Sequence, residues 1–113
     1  MTLREIIKDI QAEVGRGNLT RPRAAELLTQ LSAMLGNCND EIVQRDLEYQ
    51  KVLITYLDQE DKVNKAKIKA ETTPEFIAKQ TARNTKELVT EMCRSLKYLL
   101  KSYEDEYQIG SNF

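Results

Sequence analysis

Histidine and tryptophan are absent from this 113-residue chain, and cysteine (two), proline (two) and glycine (four) are scarce. Each shortage excludes something. Without histidine, the commonest general base and the commonest metal ligand are missing. Cys38 and Cys93 fit no metal-ligand spacing, so neither a metal nor a cofactor is expected. Cys93 falls on an apolar helical stripe and reads as a small core residue, whereas Cys38 falls in an expected turn and reads as a free thiol. No apolar run approaches the ~18 residues that a membrane span requires. Met1-Thr2 leads directly into an amphipathic stretch rather than a basic-then-apolar leader, so a cytoplasmic location is expected. Gly15-Arg16-Gly17 is followed by Asn18-Leu19 and not by a strand-to-helix pattern, so no phosphate loop is present. No nucleophile is paired with a base. The expectation is a protein that is not an enzyme and has no small-molecule substrate.

What the chain does contain is helix-forming. Charged residues make up 31%, a composition suited to long exposed helices. The net charge of −1 hides an asymmetry: residues 1–61 carry 7 basic and 11 acidic side chains, and residues 62–103 carry 10 basic and 4 acidic ones.

Thr2 and Glu5 have capping-box spacing, and Leu3, Ile6, Ile7, Ile10 and Val14 form one apolar stripe, predicting a first helix over about 3–14. The Gly15–Asn18 stretch ends it. A second helix is expected after Thr20, with Pro22 in its first turn and Ala24, Leu27, Leu28, Leu31, Met34 and Leu35 as its stripe. Gly36-Asn37 is expected to end that helix. A third is expected from Glu41 to Ala70 with Asp40 as N-cap. Its first half has a wide apolar face of Ile42, Val43, Leu47, Tyr49, Leu53, Ile54, Tyr56 and Leu57. Glu71-Thr72-Thr73-Pro74 breaks the chain, with Thr72 and Glu75 at capping-box spacing. A fourth helix follows from Pro74 to Tyr107. Val89, Met92, Leu96, Leu99 and Tyr103 continue its seam at alternating threes and fours, the pattern of a coiled coil, either core or an oligomer contact. Leu88, Cys93, Leu100 and Tyr107 widen that seam.

The predicted fold is therefore all-α: a short N-terminal αα-hairpin (1–36) packed on a long antiparallel helical hairpin (40–108), with a tail at 109–113. Exposed seams on both long helices point to a homo-oligomer.

The basic stretch around 62–86 carries the candidate site. Lys62, Lys65, Lys67 and Lys69 precede the tip, and Lys79, Arg83 and Lys86 follow it, at spacings that line helix faces. Two such faces joined by a turn could contact a phosphate backbone, with steep salt dependence. The same residues could equally be a solvated coiled-coil surface. Val63, Ile68, Phe76 and Ile77 near the tip are candidate apolar anchors for a protein partner, and Phe76 is the one aromatic placed for base stacking. Arg16, Arg21 and Arg23 surround the start of the second helix, where an anion could sit. The acidic groups Asp58, Glu60, Asp61 and Glu104, Asp105, Glu106 could hold a hard cation but read more simply as solvated faces.

The runs Lys65-Ala66-Lys67-Ile68-Lys69-Ala70-Glu71, Thr73-Pro74-Glu75-Phe76 and Arg94-Ser95-Leu96-Lys97-Tyr98-Leu99 resemble small helical proteins of tailed bacteriophages. Some of these are similar to recombination mediator proteins that load a recombinase onto single-stranded DNA. The resemblance covers residues 47–107, about half of the chain. It implies a homo-oligomeric accessory protein in the host cytoplasm, associated with single-stranded DNA or a DNA-bound protein and without catalytic activity of its own. The alternatives are an adaptor or inhibitor of a host enzyme, such as a defence nuclease, and a structural virion component.

Overall fold

A computed structural model describes the backbone of residues 2–111 and the side chains of residues 2–105. The Tyr107 contribution to the seam, the Glu106 member of the acidic group, and Asn112 and Phe113 of the tail lie outside those residues. The described chain is all-α, with helices α1 (Leu3–Gly15), α2 (Arg21–Gln59), α3 (Val63–Ala70) and α4 (Pro74–Ser111). The long helices α2 and α4 pack against each other, as the expected hairpin requires.

Helix α1 begins as the capping box dictates. Thr2 Oγ1 accepts from the Glu5 N–H, and the Glu5 carboxylate accepts from the Thr2 N–H, both at 3.2 Å. The chain leaves the helix through Gly17, whose φ of 75° a side chain would disfavour. Thr20 opens α2 by accepting from the Arg23 N–H at 3.3 Å.

The expected stop at Gly36-Asn37 does not occur: α2 is one helix of 39 residues, ~58 Å long at the standard rise. Gly36 is exposed, and a helical glycine costs only ~1 kcal/mol relative to alanine. Met34 and Cys38, one turn apart on either side of it, are both buried, and their packing offsets that cost. Asp40 is therefore an interior helical residue rather than an N-cap, and Cys38 sits in the core rather than in a turn.

The break falls instead at residues 60–62. There an acidic run, Asp58 to Asp61, meets the negative end of a helix, where carboxylates are unfavourable. Lys62 adopts extended backbone and α3 starts after it. At the next turn the cap is Thr73 rather than Thr72. Thr73 Oγ1 accepts from the Phe76 N–H at 3.4 Å, while the Thr72 hydroxyl donates back to the Lys69 carbonyl. Helical backbone continues to Ser111, so Gly110 and Ser111 extend α4 where a tail was expected.

The chain forms two compact units, Met1–Leu35 with Glu87–Phe113, and Gly36–Lys86. In the first, Ile7 and Ile10 of α1, Ala24, Leu27, Leu31 and Met34 of α2, and Val89, Cys93 and Leu96 of α4 form an aliphatic core. The Tyr103 hydroxyl donates to the Leu19 carbonyl at 2.6 Å, fastening α4 to the loop before α2. Met92, Leu99 and Tyr103 are half-buried beside that core. The second unit is built differently. Its buried apolar residues are Cys38, Tyr49, Ala66, Ala70 and Ala82, three of them alanines.

Candidate interaction surface

In the second unit, α2 and α4 run antiparallel. Asp46 meets Lys79 and Arg83, while Tyr49, one turn further along α2, meets Phe76, earlier in α4. The Phe76 and Tyr49 rings are 5.5 Å apart and tilted at 53°, and the Lys79 ammonium lies 4.4 Å from the Tyr49 ring centre. That places Phe76 in an aromatic–cation cluster instead of on a free stacking face. Burial, with a smaller contribution from Glu71, raises the Tyr49 phenol above its ordinary pKa.

The predicted basic residues divide. Lys79 and Arg83 approach the Asp46 carboxylate at 3.7 and 3.4 Å. Lys69 pairs closely with Glu60, and Lys65 lies 3.7 Å from the same carboxylate. The Lys69 hydrogen bond is the main cause that lowers the Glu60 carboxyl, with Lys65 adding to it. Lys86 is half-buried on α4. Lys62 and Lys67 are exposed and make no ion pair among the described residues. The segment 62–103 is basic as a string, but folding returns α2's acids to it: residues 36–86 carry nine basic and nine acidic side chains. The unit is electrically balanced, so its attraction for a polyanion is weaker than the linear charge suggests.

The apolar anchors divide differently. Val63, Ile68 and Ile77 are each more than half exposed, whereas Phe76 is half-buried. To them the structure adds Val43, Leu47, Ile54 and Leu57 on α2. Seven of the eight exposed large apolar residues in the described chain thus belong to the second unit; Tyr98 is the eighth. In the sequence Val43, Leu47, Ile54 and Leu57 read as part of one wide face. Adjacent pairs such as Ile42-Val43 and Leu53-Ile54 were the available signal that there are two faces, since neighbours on a helix point ~100° apart.

Of the remaining candidate residues, Arg21, Arg23 and Glu104 are engaged internally. Arg23 donates from Nε and Nη2 to the Glu13 carboxylate at 2.6 and 2.8 Å and pairs with Glu26 at 3.0 Å, and Arg21 lies 3.5 Å from Glu104. The Arg23 hydrogen bonds hold the Glu13 carboxyl below its usual range. Among the described residues no group of three or more histidine, cysteine, aspartate or glutamate side chains is placed to hold a metal ion. No described helix is long and apolar enough to cross a membrane. Burial raises the Cys38 thiol pKa, against a smaller opposing effect of Lys86.

Comparison with protein-family models, curated proteins and solved structures finds no match to this chain.

Proposed function

We propose that this chain is a helical interaction protein that works by docking other macromolecules, not by catalysis, and that its working surface is the apolar exterior of residues 36–86. One observation carries the proposal. Seven large aliphatic side chains of that unit are exposed, while its buried apolar residues are Cys38, Tyr49 and three alanines. Partner-binding helices present exposed apolar residues of this kind as anchors. The lysines and arginines around them are mostly committed to Asp46 and Glu60, leaving them to shape the surface and assist solubility.

A photoreactive residue placed at position 68, with one at position 98 as control, tests this in host lysate. Covalent capture of protein from position 68 and not from position 98 is expected. Capture of nucleic acid at position 68, or equal capture at the two positions, would overturn the proposal.

A second reading follows from the exposed Lys62 and Lys67. In it the unit contacts single-stranded DNA, or a protein already bound to DNA, as the resemblance to phage recombination mediators implies. Anisotropy of a labelled oligonucleotide at low and moderate salt tests it. Binding that weakens steeply with salt and is lost in Lys62→Glu/Lys67→Glu supports it; absence of binding at low salt removes it.

A further inference from the structure

The second unit's part of α2 carries two apolar seams. Cys38, Ile42, Tyr49, Leu53 and Tyr56 follow one another at spacings of four, seven, four and three, and face inward, buried or half-buried. One residue further on, Val43, Leu47, Gln50, Ile54 and Leu57 follow at four, three, four and three, the spacing of a coiled-coil interface. This second seam has no cover. Val43 is 59% exposed, Leu47 54%, Ile54 55% and Leu57 37%, and Gln50 is exposed between them. The inner seam is met by Phe76 and Lys79 of α4, whereas the outer one faces solvent.

The geometry points to a second copy of this chain as the occupant of the outer seam. The inference rests on the reading of residues 36–86 as a docking surface and names one of its partners. Three features suit a copy. Alternating fours and threes, as in any heptad seam, can pair with the same spacing run in the opposite direction, so the stripe can meet itself across a two-fold axis. Its one polar member is a side-chain amide, which carries both a donor and an acceptor and can satisfy its own kind across the seam. The stripe itself carries no charge, so it calls for no oppositely charged partner.

The area suits a dimer of modest affinity. The exposed fractions of the four aliphatic residues correspond to on the order of 400 Å² of apolar surface per helix. Two helices face to face, with Gln50 and the stems of flanking residues such as Lys51, then reach ~1,000 Å², the threshold for a biological interface and short of the ~1,200–2,000 Å² of a tight one.

The test uses the whole 113-residue chain. Light scattering across a dilution series is expected to give twice the 13.0 kDa chain mass. Leu47→Glu/Ile54→Glu and Leu47→Lys/Ile54→Lys are each expected to give a single chain mass with unchanged helical circular dichroism, since both sites are half exposed. An equimolar mixture of the two variants is expected to restore the double mass, because each copy now presents the charge the other needs. Gln50→Leu is expected to tighten association by at least tenfold. A wild-type protein of single mass, a Glu variant that still doubles, or a mixture that stays single would overturn the inference. A single-mass result would leave capture at position 68 standing, and failed capture at position 68 would leave self-association standing, so the two proposals fail separately.

Discussion

Replacing Gly36 with alanine tests the feature that most separates this fold from a pair of stacked hairpins. If α2 runs unbroken through Gly36, the position is an ordinary helical interior site. Its backbone has no positive φ. A Cβ built there meets nothing within 4 Å, so the methyl group enters free space. The expected effect is then the intrinsic helix preference of alanine over glycine, together with a less flexible unfolded chain, ~1 kcal/mol of stabilisation. For a chain of this size that corresponds to a rise in Tm of about 4 °C. Urea unfolding followed by circular dichroism gives the same quantity as a higher midpoint with an unchanged slope. A helix that ended at residue 36 would place Gly36 in the left-handed region, where alanine is strained by ~1 kcal/mol. The two structures predict opposite signs, and a fall in stability of that size would refute the continuous helix.

Other outcomes follow from the same packing. Leu96→Ala empties a site 1% exposed in the first unit and should cost 2–5 kcal/mol (about 3) in urea unfolding. Tyr103→Phe removes the hydroxyl that donates to the Leu19 carbonyl and should cost ~1 kcal/mol in the same assay. The lowered Glu60 and Glu13 carboxyls contribute stability that is complete above the ordinary glutamate value of ~4.3 and is lost as pH falls through their lower folded-state values. An acid titration of Tm should therefore hold down to the ordinary value and fall below it, less steeply in Lys69→Met than in the wild type. Cys38 is buried with its thiol pKa raised, so folding favours the neutral thiol and the protein should lose stability as pH rises above the free-thiol value of ~8.5. In Cys93→Ala, labelling by a thiol reagent should be slow at neutral pH and follow unfolding; fast stoichiometric labelling of that native variant would place Cys38 back at the surface.

Local chemistry made much of this fold legible in the sequence. The Thr2–Glu5 capping box, the exit through Gly17 and Pro74 at the start of α4 are each decided by neighbouring residues, and each lies where periodicity and turn rules put it. The misread points turn on tertiary context. Glycine and asparagine at 36–37 are good helix enders in isolation, yet burial of Met34 and Cys38 carries α2 across them. The stop at 60–62 has neither glycine nor proline and depends on a carboxylate run at a helix end and on Glu60 turning toward Lys65 and Lys69. The candidate site was legible in part. Exposed Val63, Ile68 and Ile77 lie where an apolar residue among lysines suggested, but the pairing of Lys79 and Arg83 with Asp46 joins positions more than 30 residues apart and leaves no trace in local spacing.

A salt titration of whatever the immobilised chain retains from a cell lysate bears most directly on the claim that apolar side chains carry recognition in residues 36–86. Retained protein that withstands rising salt is expected, since apolar association is not screened. That protein should be lost when Ile68 and Ile77 are replaced by serine and kept in Lys65→Gln/Lys69→Gln. Retained nucleic acid that elutes steeply as salt rises, and is lost in the lysine variant but not in the serine variant, would contradict that claim.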